Sequence, residues 1–296
     1  MLLTLAASSL RPLLPEHSAN CDVESPIATV KDIPRFARET LGLHGVNVPA
    51  WMLKGWKASD LEELREIADK AACPCLLLVD DEILNLGAAS AATRSASEDR
   101  FSRLAAAAHR LGCNGVAIGC KGGNDEAFER TITSIKSALT TIDRHELNVL
   151  LRPTPGLGDD PARLTDLIKR VGGFRIGSLP DFGQAGRSGD PIQTLRKLAP
   201  YAGGIHATIE GFAADGSHLG PDLAECIEAI RSVGYQSTVA IEYAGSGDCV
   251  KDILRARDIL ANAIKGESDL DDALVAELLG AEEGIDDAEG SEEAES

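Results

Sequence analysis

Four polar residues stand at or just beyond the ends of short apolar runs in the second half of the chain. They are Arg152, Asp181, His206 and Glu242, in the segments LNVLLR, FRIGSLPD, GGIHAT and TVAIEY. A buried acid such as Glu242 is costly unless a cation or a proton compensates its charge, and for one such residue a local salt bridge would suffice. Together, aspartate, histidine and glutamate form a mixed oxygen and nitrogen set that suits manganese, magnesium or zinc.

These residues belong to an alternation of short apolar runs and longer amphipathic stretches that is typical of parallel strands joined by crossover helices. Helix starts are indicated at Ser97 and at Asp160 followed by Pro161. The expected strands are residues 2–6, 45–48, 75–79, 115–119, 148–152, 174–177, 204–208 and 238–243. The pattern predicts an α/β fold, a (β/α)8 TIM barrel over residues 1–265, whose active residues lie at the C-terminal ends of the strands.

The charge of the chain is concentrated at its end. The 296 residues carry a net charge of -18, but residues 267–296 hold 13 acidic residues and no basic one, which leaves about -5 for the rest. We expect residues 266–296 to form an acidic, disordered tail with a short amphipathic helix at 270–279. Because the basic residues are scattered along an acidic chain, nucleic acid is not an expected partner.

The seven cysteines and the apolar N-terminus carry less information. The cysteines lack the paired spacing of a zinc site, so reduced, buried thiols are expected. The opening MLLTLAASSL has no basic lead and is too short to cross a membrane, so it is interpreted as the first strand. A cytoplasmic protein without a membrane partner is the expectation.

Three segments resemble the xylose isomerase-like barrels that include sugar phosphate isomerases and epimerases. The segments are RIGSLPDFGQ, APYAGGIHATIEGFAADGSH and VGYQSTVAIEYAGSGD, and the resemblance extends from Leu2 to Lys265. It implies a barrel that binds a small sugar-like molecule and associates into homo-oligomers. In that family a Glu, an Asp, a His and a second Glu, at the ends of the last four strands, bind a divalent metal, and the two glutamates move a proton beside the sugar carbonyl.

The match is incomplete at the metal site. By resemblance, Asp181, His206 and Glu242 are metal ligands and Glu242 is also catalytic, but the first glutamate is replaced by Arg152. A protonated guanidinium offers no lone pair to a metal. Gln184 stands where the family often has a sugar-binding histidine, and it is a candidate substrate-binding residue with Arg152. Thr208 stands where the family often has lysine.

Two hypotheses follow. In the first, the chain is an isomerase or epimerase for a small sugar or polyol, with Glu242 as the base and Arg152 holding an anionic group. In the second, it is a non-catalytic binding or structural barrel, in which Arg152 takes the place of the metal and bridges Asp181 and Glu242. The cofactor is a manganese, magnesium or zinc ion in the first and none in the second. Trp51 and Trp56 either stack on a sugar ring or pack in the core.

Overall fold

The computed structural model describes residues 1–15, 26–157 and 160–266. Within them, eight strands alternate with nine α-helices, two of which lie in succession between the sixth and seventh strands. The strands are β1 Leu2–Ala6, β2 Val46–Pro49, β3 Cys75–Leu84, β4 Gly115–Cys120, β5 Asn148–Arg152, β6 Ile176–Ser178, β7 Ile205–Ile209 and β8 Thr238–Tyr243. The helices are α1 Ile33–Glu39, α2 Ala58–Lys70, α3 Ala91–Leu111, α4 Asp125–Ile142, α5 Pro161–Val171, α6 Phe182–Arg187, α7 Pro191–Leu198, α8 Leu223–Arg231 and α9 Cys249–Lys265.

The strands form one parallel sheet in the order β6-β5-β4-β3-β2-β1-β8-β7. The sheet closes between its two edges, where the N–H of Gly203 donates to the Ser178 carbonyl (3.1 Å) and the N–H of His206 donates to the Pro180 carbonyl (2.9 Å). The predicted (β/α)8 barrel is therefore confirmed. The predicted tail and its helix at 270–279 lie outside the described residues, and the boundary at residue 265 stays a prediction.

Alternation along the strands decides which side chains enter the barrel. In β8, Val239 and Ile241 are fully buried against the helices, so Ala240 and Glu242 face the interior. By the same alternation, β7 directs His206 and Thr208 inward. A small apolar cluster fills the lower interior, namely Leu77, Val79, Ala117, Leu150 and Leu179. The polar residues above this cluster lie at the C-terminal mouth of the barrel.

Two local expectations differ in outcome. Asp160 caps α5 by accepting the N–H of Ala162, as its sequence position predicted. The prediction that Ser97 starts a helix is wrong, because α3 begins at Ala91 with Ser90 as its N-cap. Ser97 lies one and a half turns into α3, where its hydroxyl donates to the Thr93 carbonyl (3.1 Å). Such a bond satisfies a serine hydroxyl inside a helix.

Strand β3 continues five residues beyond its predicted end. Its pairing with β4 shifts register between Val79 and Ile83, so Asp80, Asp81 and Glu82 form a bulge. A bulge redirects side chains at the rim of a barrel. Here the bulge contains three consecutive acids in the C-terminal half of β3. No helix in the described part of the chain is long and apolar enough to cross a membrane.

Candidate functional site

Asp181 joins the end of β6 to the start of α6. One carboxylate oxygen, Oδ1, accepts the backbone N–H of Gln184 at 2.6 Å and so caps the helix. The other, Oδ2, accepts the hydroxyl of Thr208 from β7. Gln184 is half-buried one turn into the same helix. Both oxygens of Asp181 are thus used to fix the β6 to α6 turn against β7.

His206 and Glu242 contact each other directly across the neighbouring strands β7 and β8. The Nδ1 atom of His206 lies 2.8 Å from Oε2 of Glu242, and its Nε2 lies 3.0 Å from the amide nitrogen of Asn47. With the Asn47 amide nitrogen as donor, a neutral His206 accepts at Nε2 and donates its Nδ1 proton to Glu242. Ser8 donates to the second oxygen of Glu242 at 3.1 Å. Every polar atom of this pair therefore has a protein partner.

The surroundings of Glu242 keep it ionised. Burial alone would raise the pKa of its carboxyl, but the positive charge that His206 carries when protonated and its hydrogen bond oppose this effect, followed by the charge of Arg152 and the Ser8 hydroxyl. Together they lower the pKa of Glu242 to about 2. A carboxylate with so low a pKa is a weak base, because it releases rather than takes protons near neutral pH.

Asp181 is shifted in the opposite direction. Burial raises the pKa of its carboxyl, and the negative charge of Glu242 raises it further. The hydrogen bonds from Thr208 and Gln184 oppose this shift in part. Two carboxylates in one mouth thus have pKa values that are pushed apart, which is an arrangement found where one group donates and the other accepts a proton.

Arg152 lies at the end of β5, half-buried, as its sequence position predicted. Its Nη1 donates to the backbone carbonyl of Asp80 at 2.5 Å. Among the described residues, no carboxylate comes within 4.0 Å of the guanidinium, so the expected bridge between Asp181 and Glu242 is not formed. The bulge in β3 explains this, because it places the Asp80 carbonyl within hydrogen-bond distance of Arg152, and the guanidinium donates to this carbonyl and not to a carboxylate. Its charge still lowers the pKa of Glu242.

Asp80 is held in turn by a buried ion pair. Its carboxylate is fully buried, and Arg100 of α3 donates to its two oxygens at 2.6 and 2.9 Å. This bidentate geometry is the strongest form of an arginine and carboxylate contact. The pair fixes the bulge whose carbonyl holds Arg152. Sequence reasoning missed it, although three consecutive acids after a buried strand could have suggested a required cation.

Sequence reasoning also missed the partners of the His206 and Glu242 pair. Asn47 lies in the middle of the apolar strand β2 and is 3% exposed, and Ser8 follows β1. The signal for Asn47 was a polar residue between two valines at positions 46 and 48. A buried amide inside a barrel strand requires a partner, and that partner is His206.

Trp51 and Trp56 follow β2 and have different environments. Trp56 is half-buried and packs against the core, whereas Trp51 is 36% exposed. The guanidinium of Arg11 lies 5.3 Å from the centre of the Trp51 ring. Cavities of about 920 Å³ and 610 Å³ are both lined by the two tryptophans. The smaller one also includes Asp81, which is next to the Asp80 carbonyl that holds Arg152.

The fold and this site define a family. The model of the xylose isomerase-like TIM barrel family matches residues 35–265. The chain therefore belongs to the xylose isomerase-like TIM barrels. No curated protein matches its sequence.

Solved structures with the same fold are similar over nearly the whole chain. An L-ribulose 3-epimerase superposes with a TM-score of 0.72 at 13% identity, covering 94% of this chain and 97% of its own. The D-psicose 3-epimerase of Clostridium cellulolyticum H10, solved with D-tagatose, gives 0.71 at 14% identity over 89% and 99%. A probable 3-DHS dehydratase, AsbF from Bacillus anthracis, gives 0.66 at 17% identity over 88% and 99%. At such identities the likeness establishes the fold alone.

Proposed function

We propose that this protein is an isomerase- or epimerase-like enzyme that transfers a proton next to the carbonyl of a small sugar-like molecule, without a divalent metal ion. The observation that carries the proposal is the presence of a fixed guanidinium, Arg152, in the same barrel mouth as the carboxylate of Glu242. The pair offers a cation for a carbonyl oxygen and a base for the neighbouring carbon. Relatives with this fold include sugar epimerases.

The residues present do not fit a divalent metal in this arrangement. No group of three or more His, Cys, Asp or Glu side chains within the described residues could hold one. The lone pair of His206 accepts from Asn47, and Asp181 is occupied by a helix cap and by Thr208. Arg152 adds a positive charge where the family's first glutamate ligand stands, and this charge disfavours a second cation.

The number of available bases favours isomerisation over epimerisation. An epimerase needs a group on each face of the reacting carbon, whereas one base can remove a proton from a carbon and return it to the neighbouring carbon on the same face. Glu242 is the base in this proposal, and Arg152 holds the oxygen that becomes negative. The hydroxyl proton passes between the two adjacent oxygens of the substrate. Gln184 is proposed to bind a sugar hydroxyl.

A second function is favoured by the low pKa of Glu242. A carboxylate with a pKa of about 2 that already accepts two hydrogen bonds is poorly suited to remove a carbon-bound proton. In this alternative the barrel binds a sugar-like ligand and does not turn it over. Both functions share a metal-free mouth, a small-molecule ligand and a cytoplasmic location. A homo-oligomer stays a prediction.

The first test combines elemental analysis with proton exchange. The wild type and the Arg152→Glu variant are purified, incubated with manganese and analysed for bound metal, with Arg152→Lys as the control that keeps the charge. We expect metal only in Arg152→Glu, because only that change supplies a ligand and removes the cation. About one metal ion per wild-type chain would refute the metal-free proposal.

Proton exchange separates the two functions. Aldoses, ketoses and their phosphates are incubated with wild type in D₂O, and both loss of the carbon-bound proton signal and appearance of the isomeric sugar are followed by NMR. Exchange or isomerisation that Glu242→Gln abolishes supports the enzyme. Saturable binding with neither exchange nor isomerisation, in a metal-free protein, removes the enzymatic proposal and leaves the binding function.

A further inference from the structure

We propose that Trp51, Arg11 and Lys54 form a second ligand subsite at the rim of the barrel, which takes the ring and the phosphate of a phosphorylated sugar. This inference rests on the proposed function, because it specifies the substrate class of the same mouth. It concerns the cavity of about 920 Å³ between the loops that follow β1 and β2.

The cavity has an aromatic wall that is open to a ligand. Trp51 is a large aromatic residue with 36% of its surface exposed, although most large apolar residues of the chain are buried. A tryptophan face presents a polarisable surface to the C–H groups of a sugar ring and to cations. The guanidinium of Arg11 already lies over this ring at 5.3 Å, which places a positive charge beside the platform.

The basic side chains that line the cavity differ in whether a carboxylate already pairs with them. Lys31 is used by Glu63 at 2.7 Å and by Asp60 at 3.8 Å, so its charge is largely compensated. Arg11 and Lys54 are exposed and line the same cavity, and among the described residues neither has a carboxylate within 4.0 Å. Two cations beside a ring platform, without a carboxylate partner in the part of the chain that the structure describes, favour a doubly charged anion such as a phosphate monoester.

Asp81 interacts with both the subsite and the proposed catalytic centre. Its carboxylate accepts a backbone hydrogen bond from Trp51, and the charges of Arg152 and Glu242 both act on that carboxylate. Trp51 also lines the smaller cavity that contains Asp81. In the proposal, a sugar phosphate with its carbonyl at Arg152 extends past Asp81 to Trp51, with its phosphate at Arg11 and Lys54.

The chain is well suited to a fluorescence test, because Trp51 and Trp56 are its only tryptophans. In a Trp56→Phe variant of the full chain, all tryptophan emission comes from Trp51. The variant is titrated with D-fructose 6-phosphate and D-ribulose 5-phosphate, and in parallel with D-fructose and inorganic phosphate. We expect saturable quenching by the two sugar phosphates at millimolar concentration or below, and at least about tenfold weaker binding of the two fragments.

A second substitution tests the phosphate contact. Adding Arg11→Gln to Trp56→Phe should weaken sugar phosphate binding about tenfold, whereas Arg35→Gln, an exposed arginine on α1 outside the cavity, should leave it unchanged. Circular dichroism of each variant confirms the fold. The proposal is overturned if neither sugar phosphate changes the emission of Trp51, if D-fructose binds as tightly as its phosphate, or if Arg11→Gln has no effect.

These outcomes are independent of the proton exchange experiment. If a sugar phosphate binds at Trp51 with neither proton exchange nor isomerisation, the subsite is supported and the enzymatic function is refuted. If a neutral sugar is exchanged or isomerised without a change in Trp51 emission, the enzymatic function is supported and the subsite is refuted.

Discussion

Replacing Arg100 by leucine should strongly destabilise the barrel, because it leaves the carboxylate of Asp80 buried without its cation. The Asp80 side chain is 0% exposed, and Arg100, at 30%, supplies both of its short ionic contacts. Removing one partner of a buried pair typically costs about 3–5 kcal/mol. Since Arg100 is partly exposed, water can enter its vacated place, and we expect about 3 kcal/mol.

Urea unfolding at neutral pH measures this loss. With a slope of about 3 kcal/mol per M, a cost of about 3 kcal/mol lowers the midpoint by roughly 1 M. The matched control is Arg110→Leu on the same helix, since its pair with Glu62 is half-exposed on both sides (49% and 55%). Exposed pairs contribute about 0–1 kcal/mol, so this variant should unfold close to wild type.

The double variant Asp80→Leu with Arg100→Leu separates the cost of the unpaired Asp80 charge from the cost of altered packing. Removing both ions takes away the uncompensated charge, so most of the lost stability should return. If Arg100→Leu alone unfolds within about 1 kcal/mol of wild type, or if the double variant is less stable than the single one, the buried pair does not support the β3 bulge as argued.

Two further predictions concern single side chains. His206→Asn removes the largest stabiliser of the Glu242 anion, so the pKa of Glu242 should rise from about 2 towards 4.5, as followed by ¹³C NMR of the carboxyl group. Because the folded pKa is the lower one, this group stabilises the wild type fully above about pH 4.5 and loses that contribution as the pH falls towards 2; an unchanged pKa in the variant would contradict the assignment. The second concerns the thiols, since burial raises the pKa of Cys73 to about 11 and that of Cys75 to about 12. In a Cys21→Ser variant the remaining six should react with Ellman's reagent only after unfolding, and rapid labelling of the native protein would refute their burial.

The fold was predictable because it depends on patterns that repeat along the chain. The bounds of β1, β5 and β8 agree with their apolar runs residue for residue. The start of α3 was missed because Ser90 and Ser97 are both serines in front of helix-forming residues, and only the tertiary contacts choose between them. The extension of β3 was missed because three acids are a poor strand signal, and Arg100 compensates the buried one from a distant helix.

The proximity of Asp181, His206 and Glu242 was predictable from the sequence, but their contacts were not. Inward-facing polar residues at strand ends must meet in a barrel mouth, so the three could be grouped, and their functional roles stay a prediction. The hydrogen-bond partners could not be predicted from the sequence, because they depend on distances between strands that are far apart in the chain. Asn47 takes the lone pair of His206 from across the barrel, 159 residues away in the chain.

Arg152 illustrates how such a contact alters a chemical argument. From charge alone, a guanidinium beside two carboxylates should bridge them, and that bridge would close the mouth. In the structure the Asp80 carbonyl takes one of its N–H groups instead, and the Asp80 carboxylate is neutralised by Arg100. A guanidinium has five N–H donors, and among the described residues only the hydrogen bond to the Asp80 carbonyl is seen for the Arg152 guanidinium. In the proposed function, the residue that stands where the family has a glutamate ligand therefore supplies a fixed positive charge for a ligand oxygen.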